Sequence, residues 1–169
     1  MIEMKVMGIA LDVRTNSPIV VLHDLENRKA LPIWIGSAEA SAIIRCIEGL
    51  VVARPMTHDL ITNIISKTGY TVEKVEINDV EKETYYATIF LTGKGETLEI
   101  DSRPSDAIAV AMRADAPIYV TANVLMNGSV STDSAKDEEE AQEFKDFIQN
   151  IKPSDFEKLM KGKHEESDQ

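Results

Sequence analysis

Two short stretches of the chain carry the same kinds of residues in the same order. Arg54-Pro55-Met56-Thr57-His58-Asp59 and Arg103-Pro104-Ser105-Asp106 each set Arg-Pro ahead of a hydroxyl residue and an aspartate. Both lie where the pattern predicts the start of a helix. Proline fixes its own φ and biases the preceding residue away from helix, so the chain bends there. Thr57 or Ser105 can cap free backbone N–H groups, and the early aspartate complements the positive helix end. Those needs explain the proline, the hydroxyl and the acid, but not the arginine. An arginine beside helix N-termini is what a phosphate or carboxylate site would use, a bidentate fork beside unsatisfied N–H groups. Arg54 and Arg103 could equally pair with nearby carboxylates such as Asp101 or Asp106. The repetition fits an internal duplication, or two helix N-termini converging on one cleft.

The elements that must position these residues can be read from hydrophobic periodicity. Met4–Leu11 and Ile19–Asp24 read as strands joined by the turn cluster Thr15-Asn16-Ser17-Pro18, and Ala30–Ile35 as a third. Pro32 argues for an edge or strand-start position. After Gly36-Ser37, which offers an N-cap, Ala40, Ile43, Ile44 and Ile47 form a helical stripe with Glu39 in the first turn, stopped by Gly49. A second helix starts near Thr57, with Leu60, Ile61, Ile64 and Ile65 on one face, and ends at Gly69. Tyr70–Asn78, Thr84–Leu91 and Thr97–Asp101 predict a meander, Ser105–Ala114 a helix, and Pro117–Val120 a last short strand. Runs of strands alternating with runs of helices give an α+β class, a mixed and largely antiparallel sheet with helices packed against it.

Residues 1–130 form the expected domain, and residues 131–169 an appendage of polar linker and acidic helical tail. Within that appendage Ala141, Phe144, Phe147, Ile148 and Ile151 make an apolar stripe expected to dock on the domain, with a partner-binding tail as the alternative, and a second short helix is predicted from Pro153 to Met160.

Charge and composition narrow the classes. The net charge is −11, with 12 acids and 6 lysines in residues 133–169 and 17 acids and 12 bases in residues 1–132. The body is acidic even without its tail, which counts against binding nucleic acid through bulk phosphate neutralisation. The one cysteine, Cys46, excludes an internal disulfide and fits a reducing compartment. The N-terminus lacks the pattern of a signal peptide and no apolar run reaches the ~18 residues of a membrane helix, so a cytoplasmic protein without a membrane partner is expected.

Pro32-Ile33-Trp34-Ile35-Gly36 with Glu39-Ala40, then Arg54-Pro55-Met56-Thr57-His58-Asp59-Leu60, then Asp101-Ser102-Arg103-Pro104-Ser105-Asp106-Ala107-Ile108-Ala109 resemble, in order and spacing, the bifunctional nuclease domain family. The resemblance covers roughly residues 3–130, and the tail from Glu143 to Phe156 is similar to the segment after the domain in bacterial members. It implies an α+β fold with a mixed sheet and a nuclease acting on DNA or RNA, and it brings no assigned catalytic residues. Phosphodiester hydrolysis needs an activated water, stabilisation of the phosphate and a proton for the leaving oxygen. His58 is the natural acid or base, with Asp59, Asp106 and Glu39 as further catalytic candidates. Arg54, Arg103, Thr57 and Ser105 are candidates for binding substrate. Asp59, Asp101 and Asp106 could hold a divalent Mg²⁺ or Mn²⁺ through oxygen ligands, and no organic cofactor is expected. The alternative is a non-enzymatic anion-binding or regulatory module. Under either reading, exposed strand edges and the tail stripe make a homodimer the expected assembly.

Overall fold

The computed structural model describes residues 1–132 and 138–150, together with Asp155, Phe156 and Lys158. Three strands, β1 (Ile2–Asp12), β2 (Pro18–Asp24) and β3 (Lys29–Trp34), lead into helices α1 (Ser37–Glu48) and α2 (Thr57–Lys67). A meander of β4 (Thr71–Glu81), β5 (Thr84–Gly93) and β6 (Glu96–Ser102) follows, then α3 (Pro104–Ala114) and β7 (Ile118–Val120). The remaining described elements are α4 (Ala122–Gly128), β8 (Val130–Ser131), α5 (Glu138–Phe147) and β9 (Ile148–Asn150). The strands form one sheet in the order β6-β5-β4-β7-β1-β2-β3-β8, with β9 also on β1. Among the described strands only the β4–β7 pairing is parallel, so the sheet is mixed and largely antiparallel, as expected for an α+β chain.

The core follows from the stripes in the sequence. Ala40, Ile43 and Ile44 of α1 and Ala107, Ile108, Ala109 and Ala111 of α3 are buried against Val20, Leu22, Leu31, Val75 and Ile77 of the sheet. Alanine-rich α3 lets helix and sheet approach closely, a fit suited to a core with few aromatic residues. The loop after α1 begins at Gly49, whose φ of 62° is left-handed, a conformation that costs glycine little. Pro32 sits where β3 is paired with β2 alone, because β8 reaches only Lys29 and Ala30. Its missing N–H therefore breaks no ladder bond.

At four points the structure departs from, or adds to, the expectations. In α2 the expected four-residue face is split. Ile61 and Ile65 pack on the core, while Leu60 and Ile64 are 52% and 53% exposed, because the helix lies at the rim and buries only one flank. The turn of α4 was not legible: seven residues with two asparagines carry too little periodicity, and Thr121 supplies the cap by accepting the Val124 N–H. The tail joins the sheet instead of only lying on it. Val130 and Ser131 pair with β3, and the helix expected to run to Ile151 stops at Phe147, after which Ile148–Asn150 pairs with Ala10–Asp12. The fourth correction concerns helix caps: neither Thr57 nor Ser105 acts as one, and both are already inside their helices.

Phe144 is buried beside Ala10, Ile19, Val21 and Ala30 on the sheet face opposite the main core. Phe147 stacks on Trp34 with ring centroids 6.0 Å apart. The Trp34 indole N–H in turn donates to buried Asp12 at 3.0 Å. Asp12 also accepts the Arg14 backbone N–H, and that bond foremost lowers its pKa to about 2. Of the second predicted tail helix, Phe156 is buried in the main core. Asp155 and Lys158 of it are helical as well, and its other residues, with Ile151, lie outside the described ones.

Candidate functional site

Three helices begin at one place. α1 and α2 bring their first turns beside that of α3, and between them lies a pocket of about 550 Å³. Glu39 from α1, Thr57 and His58 from α2, and Arg103 and Asp106 from α3 line it. Each helix N-terminus leaves unsatisfied N–H groups and a partial positive charge, so their convergence builds an anion-attracting pocket inside an acidic protein. The repeated Arg-Pro sequence is thus two helix starts meeting at one cleft.

A continuous polar chain crosses the pocket. His58 Nε2 lies 2.9 Å from Asp106 Oδ1. Arg103, the N-cap residue of α3, donates from Nε to Asp106 Oδ2 at 2.9 Å and from a terminal nitrogen to Glu39 Oε1 at 2.7 Å. These bonds, that to Glu39 first, hold the Arg103 guanidinium still more firmly in its charged form. The His58 side chain is 8% exposed and that of Arg103 66%, so the chain runs from a buried imidazole out to a solvent-facing cation. Gly36, the N-cap of α1, makes room for it. A Cβ there would overlap Oε2 of Glu39.

Asp59 faces elsewhere. Its Oδ2 accepts the Met56 backbone N–H at 2.9 Å, and its Oδ1 accepts Arg113 Nε at 2.7 Å. The Met56 N–H foremost, with Arg113 beside it, holds the Asp59 carboxyl below its ordinary pKa. Arg113 also donates to the carbonyls of Ala109 and Ala42, so one guanidinium ties α3 to α1 and α2. Asp101 stands exposed on β6 opposite Thr88, in a separate hollow with Asn78, Asp79 and Glu81. Arg54 is exposed, two residues before Met56, with no ion-pair partner among the described residues. Thr57 is exposed at the pocket wall. Ser105 is buried at 6% and does not line the pocket.

The set Asp59, Asp101 and Asp106 therefore does not fit a shared divalent metal. Among the described residues no three His, Cys, Asp or Glu side chains converge as a ligand set. Glu39 and Asp106 both face Arg103, and Asp59 faces Arg113, so the protein's own cations already engage these carboxylates.

Sequence reasoning missed Arg45 and Arg113. Arg45 lines the pocket, half-buried and without an ion pair among the described residues. Its signal was a lone charge inside the apolar run Ala42–Ile47, one turn after Ser41 on the same helix face. Arg113 gave only the weak signal of a basic residue in a last helical turn, where the dipole explanation suffices.

A model of the bifunctional nuclease domain matches residues 20–133. An uncharacterized protein of Mycobacterium tuberculosis is 35% identical over 162 residues, 91% of this chain and 97% of its own length. Bifunctional nuclease 2 of Oryza sativa subsp. japonica is 36% identical over 107 residues, 61% of this chain and 33% of the rice protein. Bifunctional nuclease 1 of Arabidopsis thaliana is 30% identical over 113 residues, 60% of this chain and 35% of that protein. The chain thus spans about a third of the length of these plant relatives. The domain match runs from β2 past β8 and takes in Glu39, Arg45, Arg54, His58, Arg103 and Asp106, so the pocket lies within the matched span and the chain belongs to the bifunctional nuclease domain family.

Proposed function

We propose that this chain hydrolyses phosphodiester bonds of DNA or RNA in the pocket where α1, α2 and α3 begin. The observation that carries the reading is the 2.9 Å contact between buried His58 and Asp106 beside three helix N-termini. Asp106 accepts the Nε2 proton and so fixes the tautomer, leaving Nδ1 as the nitrogen able to take a proton. That nitrogen removes a proton from water, the water oxygen attacks phosphorus, and the bond to the leaving oxygen breaks. The leaving oxygen takes its proton from solvent. Arg45, which lines the pocket without an ion pair among the described residues, neutralises charge on the phosphoryl oxygens together with the helix N–H groups, and exposed Arg54, just ahead of α2, holds a flanking phosphate.

Arg103 acts differently from the direct phosphate clamp expected of it: two carboxylates hold it, and it orders Asp106. No step is routed through a metal, because arginines of the chain itself engage the carboxylates. Cytoplasmic action belongs to the same proposal, and so does a homodimer, which is supported by the β6 edge that no described strand covers and by exposed Leu60 and Ile64. Sedimentation of the purified chain tests the dimer.

The second reading, a non-enzymatic anion-binding or regulatory module, is favoured by the mutual engagement of Arg103, Glu39 and Asp106. Cleavage assays on labelled single- and double-stranded DNA and RNA, with Mg²⁺, Mn²⁺ or EDTA, separate the two. Wild-type protein is expected to cleave, and His58→Ala and Asp106→Asn to lose cleavage at unchanged melting temperature. A wild type inactive on every substrate leaves the binding module. Equal cleavage by wild type and variants assigns the activity to a contaminant.

A further inference from the structure

A second cavity, of about 470 Å³, lies away from the helix N-termini at a gap in the sheet. The edge of β1 that faces away from β2 has two short partners: β7 pairs with Ile2–Met4 and β9 with Ala10–Asp12. Between them no described strand pairs with it on that side, and Met7, Gly8 and Ile9 form one wall of the cavity. Ile44 and Ile47 of α1 close it from one side, and Ala141, Phe144 and Ile148 of the tail from another. A register shift between Val6 and Gly8 accompanies the gap, and a Cβ built on Gly8 would meet nothing within 4 Å. The volume falls within the ~300–1,000 Å³ of small-molecule sites.

The lining is apolar except for a few groups that mark what would bind. Lys145 is the only cation of α5, whose other charges are Glu138, Glu139, Glu140, Glu143 and Asp146. It lines the cavity and has no ion pair among the described residues. His23 lines it too, with a buried Nδ1 that has no hydrogen-bond partner. Burial lowers its pKa, so the ring is neutral at pH 7. An unpaired lysine on an acidic helix, placed at an apolar cavity, complements an anionic head on an apolar body.

We propose that this cavity binds a small amphipathic carboxylate, its chain against Met7, Ile9, Ile44 and Phe144 and its head on Lys145. Because the tail helix supplies the lysine and much of the wall, such a ligand would fasten α5 to the sheet. The site is independent of the nuclease pocket, so either reading can fail alone.

Isothermal titration of the full chain with sodium decanoate, below its micelle concentration, and with 1-decanol tests this. Decanoate is expected to bind one per chain, and Lys145→Gln to weaken it about tenfold, the scale of one lost charge-assisted hydrogen bond, while leaving decanol unchanged. Gly8→Leu, which fills the cavity from the strand, is expected to abolish binding of both. If Gly8→Leu does not fold, Ile47→Trp fills it from the helix, at a side chain already 42% exposed. Absence of saturable decanoate binding to wild type overturns the proposal. So does binding that neither filling variant reduces, or decanoate affinity indifferent to Lys145→Gln.

Discussion

The two Arg-Pro helix starts are nearly alike as sequence and opposite as structure. At the start of α3, Asp106 points into the pocket and takes both His58 and Arg103, so its arginine is bound and its acid serves the site. At the start of α2, Asp59 turns back to its own Met56 N–H and to buried Arg113, so its acid serves the fold and Arg54 has no ion pair among the described residues. The first residue after each proline shows the divergence. Ser105 follows Pro104 directly, inside the helix and buried, whereas Met56 separates Pro55 from Thr57 and becomes the cap. Both aspartates stand at the third helical position, Asp59 after the cap Met56 and Asp106 after the cap Arg103, yet only Asp59 folds back on the backbone N–H of its cap, as in half of a capping box. Equal motifs at equal helical positions therefore do not imply equal roles, because the partners that each aspartate meets differ.

The comparison breaks most readily at its active half. Asp106→Asn or His58→Ala is expected to lower the cleavage rate about 10²–10⁴-fold, the range of a lost general base or its orienting partner. Denaturant midpoints of both variants should stay near wild type. Asp59→Asn should leave a far smaller effect on rate. Comparable losses from Asp59→Asn and Asp106→Asn would erase the distinction between the two starts.

The structural half is expected to show in stability. Asp59→Ala should cost about 2 kcal/mol in urea unfolding, short of the ~3–5 kcal/mol for a fully buried pair because the acid remains partly in water. Arg113, with a side chain only 8% exposed, is left without its counter-charge. The folded-state pKa of Asp59 is lowered, so its ionised form contributes stability at neutral pH that is lost as pH falls. The gap between wild type and Asp59→Asn should be full at pH 7 and close below about pH 4, the ordinary aspartate pKa, as acidification continues toward the lowered value. A gap that widens on acidification contradicts the pairing.

The arginines give the next contrast. Arg54→Ala should raise KM for nucleic acid about tenfold with kcat and melting temperature little changed, the signature of lost uniform binding. Arg103→Ala, which releases both Glu39 and Asp106, should lower kcat instead. A change in KM alone for both variants would mean that Arg103 binds phosphate directly.

Much of the fold was legible in the sequence, and the reason differs by scale. The strands β1 to β7 and the helices α1 to α3 follow from periodic apolar residues that must be buried, so pattern and fold coincide. The convergence of His58 with Asp106 rested on the Arg-Pro repeat, which signalled helix starts without fixing which way each aspartate faces. That direction depends on Arg113, 54 residues from Asp59 in sequence, and no local pattern encodes such a contact. The grouping of Asp101 with Asp106 failed for a related reason. A strand alternates its faces, and five residues of sequence carried Asp101 onto an open sheet surface while Asp106 turned inward. The tail strand β9 was hidden because its residues continue the apolar stripe of the helix before it.

The smallest expected effect sharpens the α3 side of the comparison through a residue that touches none of its acids by a bond. Gly36 has φ −79° and ψ 161°, so alanine can adopt its backbone conformation without strain. The poorer cap of alanine and the reduced entropy of the unfolded chain each amount to about 0.5–1 kcal/mol with opposite signs, leaving stability near wild type. The added methyl group would, however, overlap the Glu39 carboxylate and push it off Arg103. Arg103 would then have Asp106 as its sole partner, and cleavage should fall about threefold, the scale of one exposed ion pair. In a Glu39→Ala background the same substitution should change nothing further, because the group it displaces is already gone. Kinetic losses that simply multiply across the two substitutions would show that Gly36 acts on the site by another route.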